Sequence, residues 1–399
     1  MRVTRRATLL MLVGSGLGLV ACQQAAPASA PAAKSEAKPT EAPKPAAPVA
    51  PAASPAASPA ASPSPAAAAP AQAAPAAAKP ATTTEVALAL SWLRNGQYAA
   101  ILAADAKGFF ADEGIKLKLI DGGPGKNPVP LVGAGQAQFG SGTGAAMFQA
   151  RVAPDPVDII GLGALIQKIP YAYITLANPS DPEPKPKDIE GKTFGMQSDG
   201  DFFLKAFAKK NNVDLSKVKI ETVQATAEPL LVGKVDYFTG FLTNQTYQME
   251  QEIAKPDAPP NLKGKVWKAI RFSEFGVNSY SDVLFTTTKV TKENPDLVKR
   301  FVRAVARGAQ LVVESPEESV KLVDAYPDQI ERADKLAWRL KLQNPLSMSD
   351  DTKQSGFLWM NPKVWEDQMA FYKEYDQIPR IPPLAEIMTN EFNPGVKSK

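Results

Sequence analysis

From Val86 the chain settles into a regular exchange of apolar and polar runs. Val86 to Leu90 is short, apolar and bounded by Ser91, which predicts a strand. Ala99 to Phe110 is rich in Ala and predicts a helix that Gly114 stops. Ile115 to Ile120 alternates and predicts a second strand, followed by a turn at Gly122, Gly123 and Gly125. Strand, helix and strand in that order form a parallel α/β unit. The pattern continues with a short helix at Leu131–Ala137 and a strand and turn at Ala137–Gly142. A helix from Thr143 to Val152 and strands at Val157–Leu165 and Tyr171–Ala177 follow. Beyond a Pro- and acid-rich segment at Asn178–Pro186, strand patterns recur near Ile189–Met196, Val218–Thr222, Val235–Phe241 and Val283–Thr288. Helical patterns cover the stretch to Lys210, Ala227–Val232, Asn294–Val313, Pro316–Tyr326, Ala333–Leu342 and Trp359–Tyr375.

Ligands in open α/β sheets bind beyond the carboxyl ends of the strands. That rule picks out Trp92, Asn95, Gln97, Tyr98, Gly123 and Ser141 in the first part of the chain. In the middle it picks out Tyr171, Gln197, Asp199, Phe202 and Asn244, and at the return Tyr280. The aromatic members, with Phe203, offer faces for stacking on a flat ring. The neutral amides of Asn95, Gln97, Gln197, Asn244 and Gln245 can both donate and accept at a ring edge. Asp199 and Asp201 occupy a helix start that would otherwise favour an anion, which points to a neutral or donor-rich ligand; either acid alone also serves as a simple cap. Gly140 and Gly142 suit either a strand-to-helix turn or backbone contact with a ligand. Phe238 and Phe241 on alternate faces, and Trp359, Trp365, Tyr372 and Tyr375, read as packing.

A tryptophan at a strand end, Asn three residues on, then Ala104-Asp-Ala-Lys-Gly-Phe-Phe-Ala-Asp-Glu-Gly114 and Phe139-Gly-Ser-Gly142 together resemble the NMT1/THI5-like family. The resemblance extends through Gly191-Lys-Thr-Phe-Gly195, Val235-Asp-Tyr, Thr243-Asn-Gln, Tyr280-Ser-Asp and Asn294-Pro-Asp-Leu-Val-Lys-Arg-Phe301, in order, over roughly 84–340. It implies the α/β, type II periplasmic-binding-protein fold, with two lobes joined by two crossings. Lobe one is expected over 84–178 and 283–399, and lobe two over 179–282. It also implies a substrate-binding subunit that closes around a small molecule and docks on an ABC permease and its ATPase, not an enzyme, with no cofactor or metal. Within the family, riboflavin, thiamine pyrimidines and sulfonates are ligand precedents. Riboflavin is the expected ligand, because the acids disfavour a sulfonate and Gln245 stands where pyrimidine binders often carry Glu. A sensory lipoprotein is the alternative outside transport.

Composition narrows the chemistry. The chain has no histidine, which removes Ser-His-Asp and Cys-His catalysis and histidine metal sites. The family's fungal enzymes consume their own histidine as substrate material, and this chain has none to supply. No basic run with interleaved aromatics points to nucleic acid.

The chain's start reads as an export signal. Arg2, Arg5 and Arg6 precede the apolar run Ala7–Val20, which is too short for a permanent span. Leu19-Val20-Ala21-Cys22 resembles a lipobox, so Cys22, the sole cysteine, is expected to carry lipid and hold the protein at the outer face of the cell membrane. From Gln23 to about Thr83 the sequence is almost wholly Ala, Pro, Ser and Lys, a composition that cannot bury enough apolar surface to offset ordering entropy. It is expected to act as an extended tether. The net charge of +4 includes these segments and says little about the folded head.

Overall fold

The computed structural model describes residues 82–197 and 200–395. The signal, Cys22, the tether and Asp199 lie outside them. Four strands open the fold: β1 (Thr84–Ala89), β2 (Ile115–Ile120), β3 (Phe139–Gly142) and β4 (Ile159–Ile166). Five more follow: β5 (Tyr171–Ala177), β6 (Thr193–Met196), β7 (Lys219–Thr222), β8 (Tyr237–Phe241) and β9 (Val266–Arg271). The chain then returns as β10 (Asp282–Thr287).

These strands form two five-stranded sheets, ordered β2-β1-β3-β10-β4 and β7-β6-β8-β5-β9. Both have a parallel core: β1 pairs in parallel with β2 and β3, and β6 with β7 and β8. The returning strands are antiparallel, β10 against β3 and β4, and β5 against β8 and β9. This is the expected type II periplasmic-binding-protein architecture, two α/β lobes joined by two crossings.

Each sheet carries a hydrophobic core on each face, as parallel strands require. On one side of the first sheet, Val86, Leu88 and Phe139 pack with Tyr98, Phe110 and Phe301. The amphipathic helix Pro295–Glu314 supplies Phe301, whose ring stacks on Phe139 at 3.8 Å. The other side holds Phe148, Val283, Phe285, Trp365 and Tyr372. Trp365 and Tyr372 are thus core residues, as their spacing suggested.

Several boundaries differ from the sequence expectation. Tyr171–Ala177, expected in lobe one, is the strand between β8 and β9 of the second sheet. The first crossing is therefore 167–170, and Asn178–Pro186 is a surface loop in which Asp181 accepts from the Asn178 backbone. Periodicity reveals a strand but not its partner, so it could not assign β5 to a sheet. β9 was not expected at all. Its apolar run is broken by Lys268, which is buried because its amine donates to the Asp181 carbonyl. The second crossing, 272–281, precedes β10, and Tyr280 sits at its end. The expected helix Ala99–Phe110 divides at Lys107-Gly108 into Ala99–Ala106 and Phe109–Asp112.

The two crossings orient the site. One leaves the carboxyl end of β4 and enters β5 at Tyr171, which pairs with Phe241 at the end of β8. The other leaves β9 and enters β10 at Asp282, beside the end of β3, where Val283 pairs with Gly142. The carboxyl ends of β1, β3, β6 and β8 therefore gather at the junction between the lobes.

Candidate functional site at the strand ends

The β1 end leads into the loop Ser91–Tyr98, and most of its polar groups are consumed in holding it. Asn95 is buried, and its Oδ1 accepts from the Gln97 backbone N–H at 2.9 Å, capping the single turn Gly96–Tyr98. Tyr98 is fully buried, and its hydroxyl accepts from the Trp92 backbone N–H at 2.8 Å and bonds Ser91 Oγ at 3.0 Å. Burial pushes that hydroxyl well above its usual range, so it stays neutral. Arg94 grips Asp121 at the end of β2 through two bonds of 2.7 and 3.0 Å. The Gly96 N–H donates to Glu331, and Gln343 Nε2 donates to the carbonyls of Gly96 and Gln97. Glu331 is itself buried beside Arg339, with bonds of 2.8 and 2.5 Å. Burial pushes the Glu331 carboxyl up, but Arg339 and Lys335 more than reverse that and leave it below its usual range.

What this loop presents outward is apolar. Trp92 is 40% exposed and Leu93 38%. Gly122 passes so close to the backbone of Leu90–Trp92 that a Cβ there would lie about 2.4 Å from it, and its N–H donates to the Trp92 carbonyl. Gly123 follows with φ of +143°, a conformation that suits glycine.

Under the loop lies a residue for which sequence reasoning proposed no role. Asp282, the first residue of β10, is fully buried. Ser141 Oγ donates to its Oδ1, and Gln97 Nε2 donates to its Oδ2 at 3.2 Å. No cation pairs with it among the described residues. Burial raises its carboxyl to about 6, against the lowering effect of the two hydrogen bonds. The sequence does carry a signal, an acid immediately before the apolar run Val283-Leu-Phe285, but nothing local shows that the acid is enclosed.

On the second lobe the strand ends are dressed differently. Tyr171 is half-buried in an aromatic group with Phe203, Phe241 and Phe272 at 4.9–5.8 Å between ring centres. Phe241 remains 38% exposed. Phe202, in the first turn of the helix Asp201–Lys210, packs against Phe203 and against Tyr372 of the first lobe. Gln197 Nε2 donates to the Thr239 carbonyl at 3.3 Å. Asn244 is exposed. Asp201 pairs with Lys205 at 2.5 Å, so its charge is partly offset.

Several expectations for free ligand-facing side chains need correction. Tyr98 and Tyr280 offer no stacking face. Tyr280 is buried against Trp365, and its hydroxyl accepts from the Asn361 backbone N–H at 2.6 Å. Ser141 is enclosed and committed to Asp282, and Asn95 to its cap. Gln245 closes its own loop, accepting from Phe241 N–H at 2.9 Å. Trp92, Gln97, Gly123, Tyr171, Gln197, Phe202 and Asn244 stand at the strand ends. Behind this site, at the second crossing, a separate cavity of about 680 Å³ is lined by Phe203, Asn278, Gln368 and Phe371. Among the described residues no acidic, histidine or cysteine cluster is built to hold a metal, and no helix is long and apolar enough to cross a membrane.

The family model described as NMT1/THI5 like matches residues 95–319, more than half of the chain. The chain belongs to the NMT1/THI5-like family. Two of its relatives carry names of different kinds. Riboflavin-binding protein RibY of Chloroflexus aurantiacus is 25% identical over 325 residues, covering 79% of this chain and 87% of that protein. A 4-amino-5-hydroxymethyl-2-methylpyrimidine phosphate synthase of Legionella pneumophila is 26% identical over 244 residues, covering 60% of this chain and 73% of that protein. Among solved structures, the periplasmic aliphatic sulphonate-binding protein SsuA of Escherichia coli superposes with a TM-score of 0.57 at 12% identity, over 76% of this chain and 91% of that one. That likeness speaks for the fold.

Proposed function

We propose that this chain is the solute-binding subunit of an ABC-type importer, and that it captures a flat, neutral heteroaromatic, riboflavin. The observation that carries this reading is the buried Asp282 carboxylate beneath the cleft floor, bonded to Gln97 and Ser141 and paired with no cation among the described residues. Negative charge in a low-dielectric floor repels a sulfonate, nitrate or phosphate and favours a ligand rich in donors. Above it, the exposed Trp92 ring offers a stacking face, and Leu93 and Phe241 supply further apolar surface. Trp92, Gln97, Gln197 and Asn244 are the side chains proposed to touch the ligand, with the Gly123 backbone, Tyr171 and Phe202 beside them. Asn95, Tyr98, Ser141 and Tyr280 act from behind, by shaping the loops. The relative named for riboflavin binding, which aligns with most of the chain, supports the same choice.

The role is capture without turnover. The lobes close on the ligand about the two crossings, and the closed form docks on a permease served by an ATPase. A chain without histidine cannot provide the histidine that the fungal synthases consume. Lipidation at Cys22 would keep the protein at the extracytoplasmic face of the membrane, and Cys22→Ala should release it from the membrane fraction.

Titration of the purified chain with riboflavin should quench flavin fluorescence and release measurable heat. Trp92→Ala should weaken binding roughly tenfold, the scale of a lost stacking contact. Riboflavin phosphate should bind more weakly than riboflavin. Absence of heat and quench with riboflavin, while a thiamine pyrimidine or an alkanesulfonate binds, overturns the ligand.

A further inference from the structure

We propose that Asp282 is a positioning residue that decides which atom of the Gln97 amide faces the cleft, and that the site thereby selects a ligand edge that donates an N–H. The inference holds only if the strand-end cleft is the ligand site, as proposed above.

The geometry leaves Gln97 little freedom. Its backbone N–H is taken by Asn95 Oδ1, and its carbonyl by Gln343 Nε2. Only its side chain can still turn. An ionised carboxylate accepts and cannot donate. Asp282 Oδ2 therefore requires the NH₂ end of the Gln97 amide, which it receives at 3.2 Å. The other carboxylate oxygen is taken by Ser141 Oγ. With Nε2 held inward, Oε1 is turned away from Asp282, and no donor within the described residues bonds it. Gln97 is half-buried, so this oxygen is left as an acceptor on the loop that exposes Trp92 and Leu93. Its complement is a neutral ring carrying an imide, lactam or amino N–H. An acceptor-only edge or an anion meets the wrong pole.

Protonation of Asp282 reverses this preference. A carboxylic acid has an O–H to give, so the Gln97 amide can rotate, offer Oε1 to Asp282 and turn its NH₂ outward. The surroundings oppose this little. Ser141 on β3 can give or accept, and Ile166, which pairs with Asp282 on β4, is apolar. Tyr98, the titratable group nearest in the Gly96–Tyr98 turn, stays neutral. The charged groups tied to the loop at Gly96 are Glu331 with Arg339 and Lys335 beside it, and none of them bonds Asp282. The buried carboxyl titrates near 6, so the reversal falls within a mildly acidic range.

The test has two arms on the full chain. In the first, side-chain ¹⁵N-glutamine labelling follows the Gln97 NH₂ signal without ligand, identified by its loss in Gln97→Leu. It should titrate with a midpoint near pH 6 and should not titrate in Asp282→Asn. In the second, riboflavin is compared at pH 7.5 with 3-methylriboflavin, in which a methyl group replaces the imide hydrogen; the Asp282→Asn comparison separates the lost donor from the added bulk. The methylated probe should bind roughly tenfold or more weakly, as expected where a site built to accept a proton loses its donor. In Asp282→Asn the gap should shrink to roughly threefold or less, because an amide at 282 tolerates either orientation of Gln97. Equal binding of the two probes by the wild-type chain overturns the inference while leaving riboflavin capture intact. If riboflavin does not bind, the ligand proposal fails and the first arm alone decides. A titrating Gln97 signal then upholds the positioning role, and a flat one overturns it.

Discussion

The two lobes present the same topological edge to the junction but build it differently. In lobe one the loop Ser91–Tyr98 is tied to β2, to β10, to Glu331 and to the helix Ala333–Leu346 by buried and half-buried polar groups: Arg94–Asp121, Gln97–Asp282, Gly96–Glu331 and Gln343. In lobe two the corresponding ends carry an aromatic group, a 3.3 Å bond from Gln197 and an exposed Asn244. Buried polar networks specify one arrangement because every alternative leaves a group unsatisfied. Aromatic clusters tolerate small rearrangements, since much of their stability is non-directional burial. On the proposed closure, lobe one is the fixed half of the site and lobe two the half that adapts.

The comparison breaks most visibly at the charge pair under the lobe-one loop. Arg339→Leu leaves Glu331 enclosed, with its side chain 3% exposed and only Lys335 nearby at 3.0 Å. Breaking a buried pair costs about 3 kcal/mol, part of which Lys335 offsets here, so the stability read from chemical denaturation should fall by roughly 2–3 kcal/mol. A loss below about 1 kcal/mol would show that the loop does not depend on that pair.

A second effect concerns pH. The folded carboxyl of Asp282 sits near 6, above its ordinary 3.8. Between those values the folded chain holds more protons at this site than the unfolded chain does. The group's contribution to stability is therefore greatest at low pH and is lost as pH rises through 6. Relative to Asp282→Asn, the wild-type chain should gain on the order of 2–3 kcal/mol between pH 7 and pH 4, since each tenfold difference in proton affinity is worth about 1.4 kcal/mol. Parallel stability–pH curves for the two proteins would contradict this.

The smallest effect sharpens the comparison by testing how the adaptable lobe docks. Glu250 of lobe two accepts from Trp267 of its own sheet at 2.8 Å and from Trp338 of lobe one at 3.0 Å. Tyr247 stacks edge-on against the same Trp338. Trp338→Phe keeps most of the ring contact and removes the bridging donor. Stability should change by only about 0.5–1 kcal/mol, the net value of one hydrogen bond. Small-angle scattering should nonetheless show a wider ligand-free particle. An unchanged radius with full stability would mean that the bridge does not set the lobe spacing.

Much of this molecule was legible in its sequence. Ile115–Ile120 and Tyr171–Ala177 could be read to the residue, because a short β-prone run between turn formers carries its own boundary signals. The ordered motifs identified the family, and the absence of histidine by itself limited the chemistry. The position of Trp92 and Gln97 at a strand end followed from the α/β pattern alone.

Only the tertiary structure decided which polar and aromatic groups were left for a ligand. Tyr98 and Tyr280 look from sequence like ring-stacking residues at loops, yet each is buried, with its hydroxyl bonded to backbone. The sheet to which β5 belongs and the enclosure of Asp282 were also invisible. The physical reason is common to all of them. Periodicity encodes which face of an element is apolar, but not which distant element covers it. The bond that fixes Gln97 joins residues 185 positions apart, and the one that fixes Gly96 joins residues 235 apart.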